Sequence, residues 1–403
     1  MSTSGTSGHI RSLDGVRGLA ILLVLLFHAG LAGYGWMGVQ LFFVLSGFLI
    51  TGILWKERQT ATSLGYKFKK FWTRRSLRIF PLYFGYLIAM GVVYLVTHFP
   101  SNYRLFAPYL FTYTFNYTRA LSIYNGPPLF SQLWSLCVEE QFYIFFPLVI
   151  FFCPPRFTRW FMGIVIIAAP LVRYGLTRHY LFEGVSPVTA GDAVYRNTLS
   201  HLDAFFMGGL IPVLALDKRV RRPGLWFLVA LVVALAAGYL FGPRSAGYLF
   251  DLGYPQGSLD HALPVWSYTC VDAVFACFLL LVVSVYQRPV LIRALSAPWL
   301  VRVGQVSYGI YVFHLAIWWY LAERLVVHYG GGWLFRLALF VPYVFVVWGL
   351  AELSYRLYEV RFIRLKDKLF PGGGAAEIRA TVPAAAAEDT VPAVPFTVKP
   401  LDV

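Results

Sequence analysis

An arginine and a histidine stand eleven residues apart in an otherwise apolar run, LDGVRGLAILLVLLFHAG, from Leu13 to Gly30. In a helix that spacing is about three turns, which brings Arg17 and His28 within roughly 20° of one face. Ionisable side chains inside a membrane helix are costly and usually turn to an internal cavity, so the pair marks a candidate site. A histidine there can take and return a proton, since its unperturbed pKa is about 6.5. An arginine can stabilise a developing oxyanion. The plainer alternative has Arg17 snorkelling to the headgroups and His28 capping the far end.

Other polar groups interrupt apolar segments. Asp14 shares the first run, and Glu139 and Glu140 sit in LWSLCVEEQFYIFFP. Asp203 follows His201 in HLDAFFMGG, Tyr308 and His314 lie in GQVSYGIYVFHLAI, and Glu352 sits near the inner end of the last apolar segment. Singly, each reads as a helix-packing hydrogen bond. Together they suggest a wet polar cavity within a bundle. In FWTRRSLRIFPLYF, Arg74, Arg75 and Arg78 form a basic cluster. Residues 74 and 78 are one turn apart, so their guanidiniums can converge on phosphate, or simply follow the positive-inside rule and bind anionic lipid. Ser46, in GVQLFFVLSGFLIT, lacks a GxSxG elbow and reads as a packing or ligand contact. Cys137, Cys153, Cys270 and Cys277 show no metal-ligand spacing, so no metal site is expected.

These residues need a scaffold, and the composition says which kind. Of 403 residues, 58% are hydrophobic and 13% charged, with mean hydropathy +0.63. Soluble domains carry roughly 25% charged residues, so the chain reads as an all-α polytopic membrane protein. The net charge of +15 punctuates apolar segments, which argues for topology and against nucleic acid as a partner. Ten stretches are long enough to span a bilayer: 12–31, 37–55, 79–97, 131–153, 159–175, 200–216, 224–241, 265–286, 305–326 and 333–355. With the N-terminus cytoplasmic, 26 of the 34 Lys and Arg fall on the inner side, which supports ten spans with both termini inside. The resulting division is a cytoplasmic segment 1–10, a transmembrane domain 11–370 and a disordered cytoplasmic tail 371–403, rich in Ala and Pro. No cleavable signal is expected. The long outer loops, near 98–130, 176–199 and 242–264, suit a lid or a mouth.

Six segments in order resemble the membrane-bound acyltransferase family 3, the bacterial polytopic O-acyltransferases of surface glycans. They are LDGVRGLAILLVLLFH, GVQLFFVLSGFLIT, RRSLRIFPLYF, LWSLCVEEQFYIFFP, HLDAFFMGG and GQVSYGIYVFH, and the resemblance covers about residues 10–365. It implies that Arg17 and His28 are the family's Arg–x10–His signature, with His28 the catalytic base and Arg17 helping to hold the donor. Glu139, Glu140, Arg74, Arg75 and Arg78 match its other polar motif positions. Val360 stands where family members commonly have a proline after glutamate. The soluble esterase-like domain found in many members is not expected in this chain.

The expected protein is therefore an enzyme of the bacterial inner membrane. It would move an acyl group, most simply acetyl, from cytosolic acyl-CoA to a hydroxyl of a glycan, lipid-linked sugar or small molecule, with no bound cofactor. In the physical version of that expectation, Arg74, Arg75 and Arg78 anchor the donor's phosphates and its thioester reaches His28, about 16 Å beyond Arg17. A transporter or flippase of a polar glycolipid is the rival, using His28, Glu139 and Asp203 as a proton relay. The lack of an internal repeat disfavours it.

Overall fold

The computed structural model describes residues 11–370, apart from 122, 124–127, 244–247 and 287–288. The expectations for segments 1–10 and 371–403 lie outside the described residues. Within them the chain forms helices and turns, with no strand.

The helices that build the site are, in chain order, α1 (Arg11–His28), α2 (Met37–Glu57), α3 (Leu64–Thr97), α4 (Leu133–Phe152) and α5 (Pro155–Phe182). A short α6 (Pro187–Arg196) precedes α7 (Leu202–Val213), α8 (Pro223–Phe241) and α9 (Leu263–Val283). The last group is α10 (Pro298–Gln305), α11 (Ser307–Trp318), α12 (Trp333–Ser354) and α13 (Val360–Leu369). Several start where the sequence punctuates. Ser63 caps α3 by accepting from the Tyr66 N–H at 3.3 Å. Proline opens α5, α6, α8 and α10, where its missing N–H costs nothing.

Among the described residues, eight helical stretches are long and apolar enough to cross a membrane, so the chain is a polytopic α-helical membrane protein. Two of the ten expected spans differ from these. The first, α1, is long enough but carries Arg11, Asp14 and Arg17. The sixth, expected over 200–216, contains a helix of only 12 residues, α7. That is about 18 Å of rise, short of a roughly 30 Å hydrocarbon core. α7 packs against α2, α5 and α9, so protein rather than lipid meets most of its surface. α3 begins at Leu64 rather than near 79, which carries all three clustered arginines into one 34-residue helix.

α2 and α7 meet backbone to backbone. A Cβ on Gly47 would lie 1.9 Å from the Phe205 carbonyl oxygen, and one on Gly208 would lie 1.9 Å from that of Val44. α1 meets α10 in the same way, since a Cβ on Gly304 would lie 1.8 Å from the Asp14 carbonyl oxygen. Small residues at such crossings let membrane helices approach closely. Gly47→Ala is expected to lower stability by about 2 kcal/mol, because the obstructing atom is backbone and cannot turn aside. Thermal unfolding in detergent measures this; an unchanged midpoint would show that the crossing relaxes freely. On the outside, Leu225, Trp226, Leu228, Val229 and Val232 of α8 are exposed, as a lipid-facing surface requires.

Candidate active site

Two chambers lie within the bundle, at successive depths along α1. The first has a volume of about 110 Å³ and is lined by Arg17, Ser46, Arg75, Arg78, Glu139 and Tyr143, among others. The second, of about 290 Å³, is lined by His28, Gln132, Asp192, Arg196 and neighbouring residues. Val39 and Tyr311 line both, so their side chains form the wall between them.

In the first chamber α1 supplies Arg17, whose guanidinium pairs with Asp14 at 2.7 Å one turn earlier. α4 supplies one face: Ser135, Glu139 and Tyr143 recur every four residues and all line this chamber. Ser46 of α2 donates to Glu139 Oε1 at 2.7 Å, and the Tyr143 hydroxyl donates to Ser46 Oγ at 3.3 Å. The Arg75 guanidinium sits 5.5 Å from the centre of the Tyr143 ring. Tyr308 lines the same chamber while its hydroxyl donates to the Ile79 carbonyl at 2.9 Å, tying α11 to α3. Three guanidiniums facing one carboxylate give the chamber walls a positive balance, which favours an anionic ligand.

The partition is held from the N-terminal end of α4 and Gln132 just before it. The Tyr311 hydroxyl is 2.5 Å from Ser135 Oγ and 3.1 Å from the Gln132 carbonyl oxygen, which it donates to. Gln132 Nε2 donates to the Val312 carbonyl at 2.8 Å. Beyond the wall, Asp192 pairs with Arg119 at 2.6 Å and with Arg196 at 2.8 Å, forming a charged rim beside His28.

Not all of the predicted residues converge. Arg75 and Arg78 line the first chamber, but Arg74 is turned away from it. Its guanidinium donates to the Phe370 carbonyl at 3.0 Å and reaches Asp367 at 3.5 Å, because that face of α3 packs against α13. The expected convergence of 74 with 78 is replaced by 75 with 78. Glu140, about 100° around the helix from Glu139, lines neither chamber and is buried. Asp203 also lies away from both, in an ion pair with Arg173 of α5 at 2.9 Å where both side chains are fully buried. Glu352 is taken by Arg302 and Arg356 and ties α12 to α10. His314 lines neither chamber but stands behind His28, with ring centres 4.9 Å apart.

Sequence reasoning missed Tyr311, Ser135 and Tyr143, and the rim of Arg119, Asp192 and Arg196. The four-residue spacing through Glu139 was the signal for Ser135 and Tyr143. Nothing local marks Tyr311. Among the described residues no group of three or more His, Cys, Asp or Glu is placed to hold a metal ion.

Comparison with known proteins agrees with the resemblance. The model of acyltransferase family 3, described as an acyltransferase domain, matches residues 10–352. A Staphylococcus aureus (strain COL) protein provisionally named an O-acetyltransferase is 26% identical over 379 residues, covering 88% of this chain and 57% of the relative. O-acetyltransferase OatA of S. aureus (strain NCTC 8325 / PS 47) is 25% identical over 383 residues, covering 90% of this chain and 58% of the relative. The chain thus spans less than two thirds of these relatives' length. No solved structure matches it.

Proposed function

The chain belongs to acyltransferase family 3, and from that premise we propose that it is an O-acetyltransferase of a bacterial inner membrane, with His28 as general base. Its donor is acyl-CoA, most simply acetyl-CoA, whose phosphates bind Arg75 and Arg78 from the cytoplasmic side. Its acceptor is a hydroxyl of an envelope glycan, lipid-linked sugar or small molecule entering the second chamber. One observation carries this reading: a cationic chamber and a histidine-lined chamber adjoin, with Val39 and Tyr311 lining both. A thioester arm crossing that wall brings its carbonyl to His28.

The step then balances simply. His28 takes the acceptor's hydroxyl proton as the oxygen attacks the thioester carbonyl, the carbon–sulfur bond breaks, and the proton passes to the departing thiolate. Arg17, one turn from Asp14, lies along the donor's route and offsets its negative charge.

The direct test is release of free CoA from acetyl-CoA by the purified chain in detergent, with and without a panel of glycans. Acceptor-stimulated release is expected. Neither cleavage nor binding of acetyl-CoA would overturn the donor assignment. Arg75→Ala and Arg78→Ala are each expected to raise the KM for donor about 10- to 100-fold, the worth of one charge-assisted hydrogen bond of about 1.5–3 kcal/mol, with kcat changed less. Arg74→Ala, aimed at α13, is expected to leave that KM unchanged. Equal effects at 74 and 75 would contradict the assignment of faces.

A further inference from the structure

His314 is fully buried on α11, about one turn beyond Tyr311. Its Nδ1 is 2.7 Å from the Tyr311 carbonyl oxygen. A carbonyl oxygen only accepts, so Nδ1 carries the hydrogen, and a neutral ring has just one N–H. Nε2 is left with a lone pair, buried and without a hydrogen-bond partner. Orphaned acceptors of this kind are uncommon in folded proteins. The neighbouring ring is His28, with centres 4.9 Å apart and planes inclined by 48°. Two imidazoles whose centres are this close are within the range that a nitrogen-to-nitrogen hydrogen bond can span.

We infer that His314 is a positioning residue for His28: its Nε2 accepts the His28 N–H and thereby turns the His28 lone pair toward the second chamber. The inference rests on the reading of His28 as base. The Tyr311 carbonyl fixes one imidazole, and that imidazole fixes the other. When His28 takes a proton, its N–H to Nε2 becomes a charge-assisted bond, which favours proton uptake during attack. Tyr311 therefore serves twice, with its ring in the wall between the chambers and its carbonyl setting the tautomer of His314. Fixing which nitrogen of a histidine carries the proton through the hydrogen bond made by the other is a general way to prepare the ring for its task.

The test compares His314→Gln with His314→Asn in the full chain. A glutamine oxygen can reach the position of Nε2 and accept from His28; an asparagine can replace only Nδ1, toward the Tyr311 carbonyl. His314→Asn is expected to lower kcat for CoA release from acetyl-CoA at least tenfold, with the donor KM within twofold of wild type. His314→Gln is expected to keep at least a third of kcat. A second readout needs no turnover: the rate at which diethyl pyrocarbonate acylates His28, followed by peptide mass spectrometry. It should fall in the Asn variant and hold in the Gln variant. Matching behaviour of the two variants in both measurements, whether near wild type or equally impaired, would reduce His314 to a packing residue. Turnover surviving in His28→Ala would instead remove the reading of His28 on which the inference stands.

Discussion

Replacing His28 with alanine is expected to abolish acyl transfer while leaving the chain folded in the membrane. A positioned general base is worth about 10²- to 10⁴-fold in rate, and among the described residues no other histidine lines either chamber to take its place. His201 and His314 are fully buried, and each has a ring nitrogen against a backbone carbonyl. The cost to stability is expected to be small, because His28 is only half-buried, ends α1 and borders an open chamber rather than a packed interior. The measurement pairs CoA release from acetyl-CoA with a thermal unfolding midpoint for the same detergent preparation. A midpoint near wild type with turnover below one hundredth is the expected result. Turnover above one tenth in a folded variant would mean that another group removes the proton.

This expectation was legible in the sequence because it depends on one helix. Arg17 and His28 share one mostly apolar helical run, and helical geometry alone fixes their 11-residue rise and common face. The same holds for Glu139, which opens onto the first chamber as its place in an apolar segment suggests. Residues whose role depends on which face meets which neighbour were not legible in this way. Arg74 and Arg75 are equally basic and both lie within one turn of Arg78, so spacing does not choose between them. The choice is made by α13, which comes from the far end of the domain and takes Arg74 for its own C-terminal carbonyl.

Span counting shows a similar boundary. Eight of the ten expected spans correspond to helices apolar and long enough to be recognised by those properties alone. The sixth, around Asp203, is recognised by sequence only as an apolar run. Its short helix is possible because Gly47 and Gly208 let α2 and α7 touch along their backbones, a pairwise fact that neither segment carries alone. Tyr311 is the sharper example. A tyrosine in SYGIYVFH looks like ordinary helix surface, and it becomes a partition only because Ser135 of α4 and Gln132, which precedes that helix, hold its hydroxyl.

Arg173→Met is expected to destabilise the protein by about 3–5 kcal/mol, the largest loss of stability among these substitutions. The sequence places Arg173 near the outer end of the fifth span, but in the structure its side chain is fully buried among four elements. Its guanidinium donates to both oxygens of Asp203, at 3.1 and 2.9 Å, to the Ser200 carbonyl at 2.7 Å and to Val265 at 3.3 Å. It also donates to Thr269, whose hydroxyl in turn donates to Asp203 at 2.6 Å. The Tyr268 ring lies 5.4 Å away. One side chain thus joins α5, the turn before α7, α7 and α9. A methionine of similar length fills the space but leaves the Asp203 carboxylate buried without its cation, and it takes a charged donor from the Ser200 carbonyl. Asp272 makes the loss worse: it is fully buried on α9, and neither of its carboxylate oxygens has a hydrogen-bond partner. The charge of Arg173 acts on Asp272 as well as on Asp203. Lysine is expected to recover little, because a single ammonium cannot reproduce the planar fork that meets Asp203 and Ser200 together. Thermal unfolding of Arg173→Met, Asp203→Asn and the double variant forms the test. The double variant should be more stable than the sum of the two single losses predicts, since removing both partners leaves no buried unpaired carboxylate at that position. Strict additivity would show that Arg173 and Asp203 act independently, and that the helices around α7 are held by packing rather than by this buried pair.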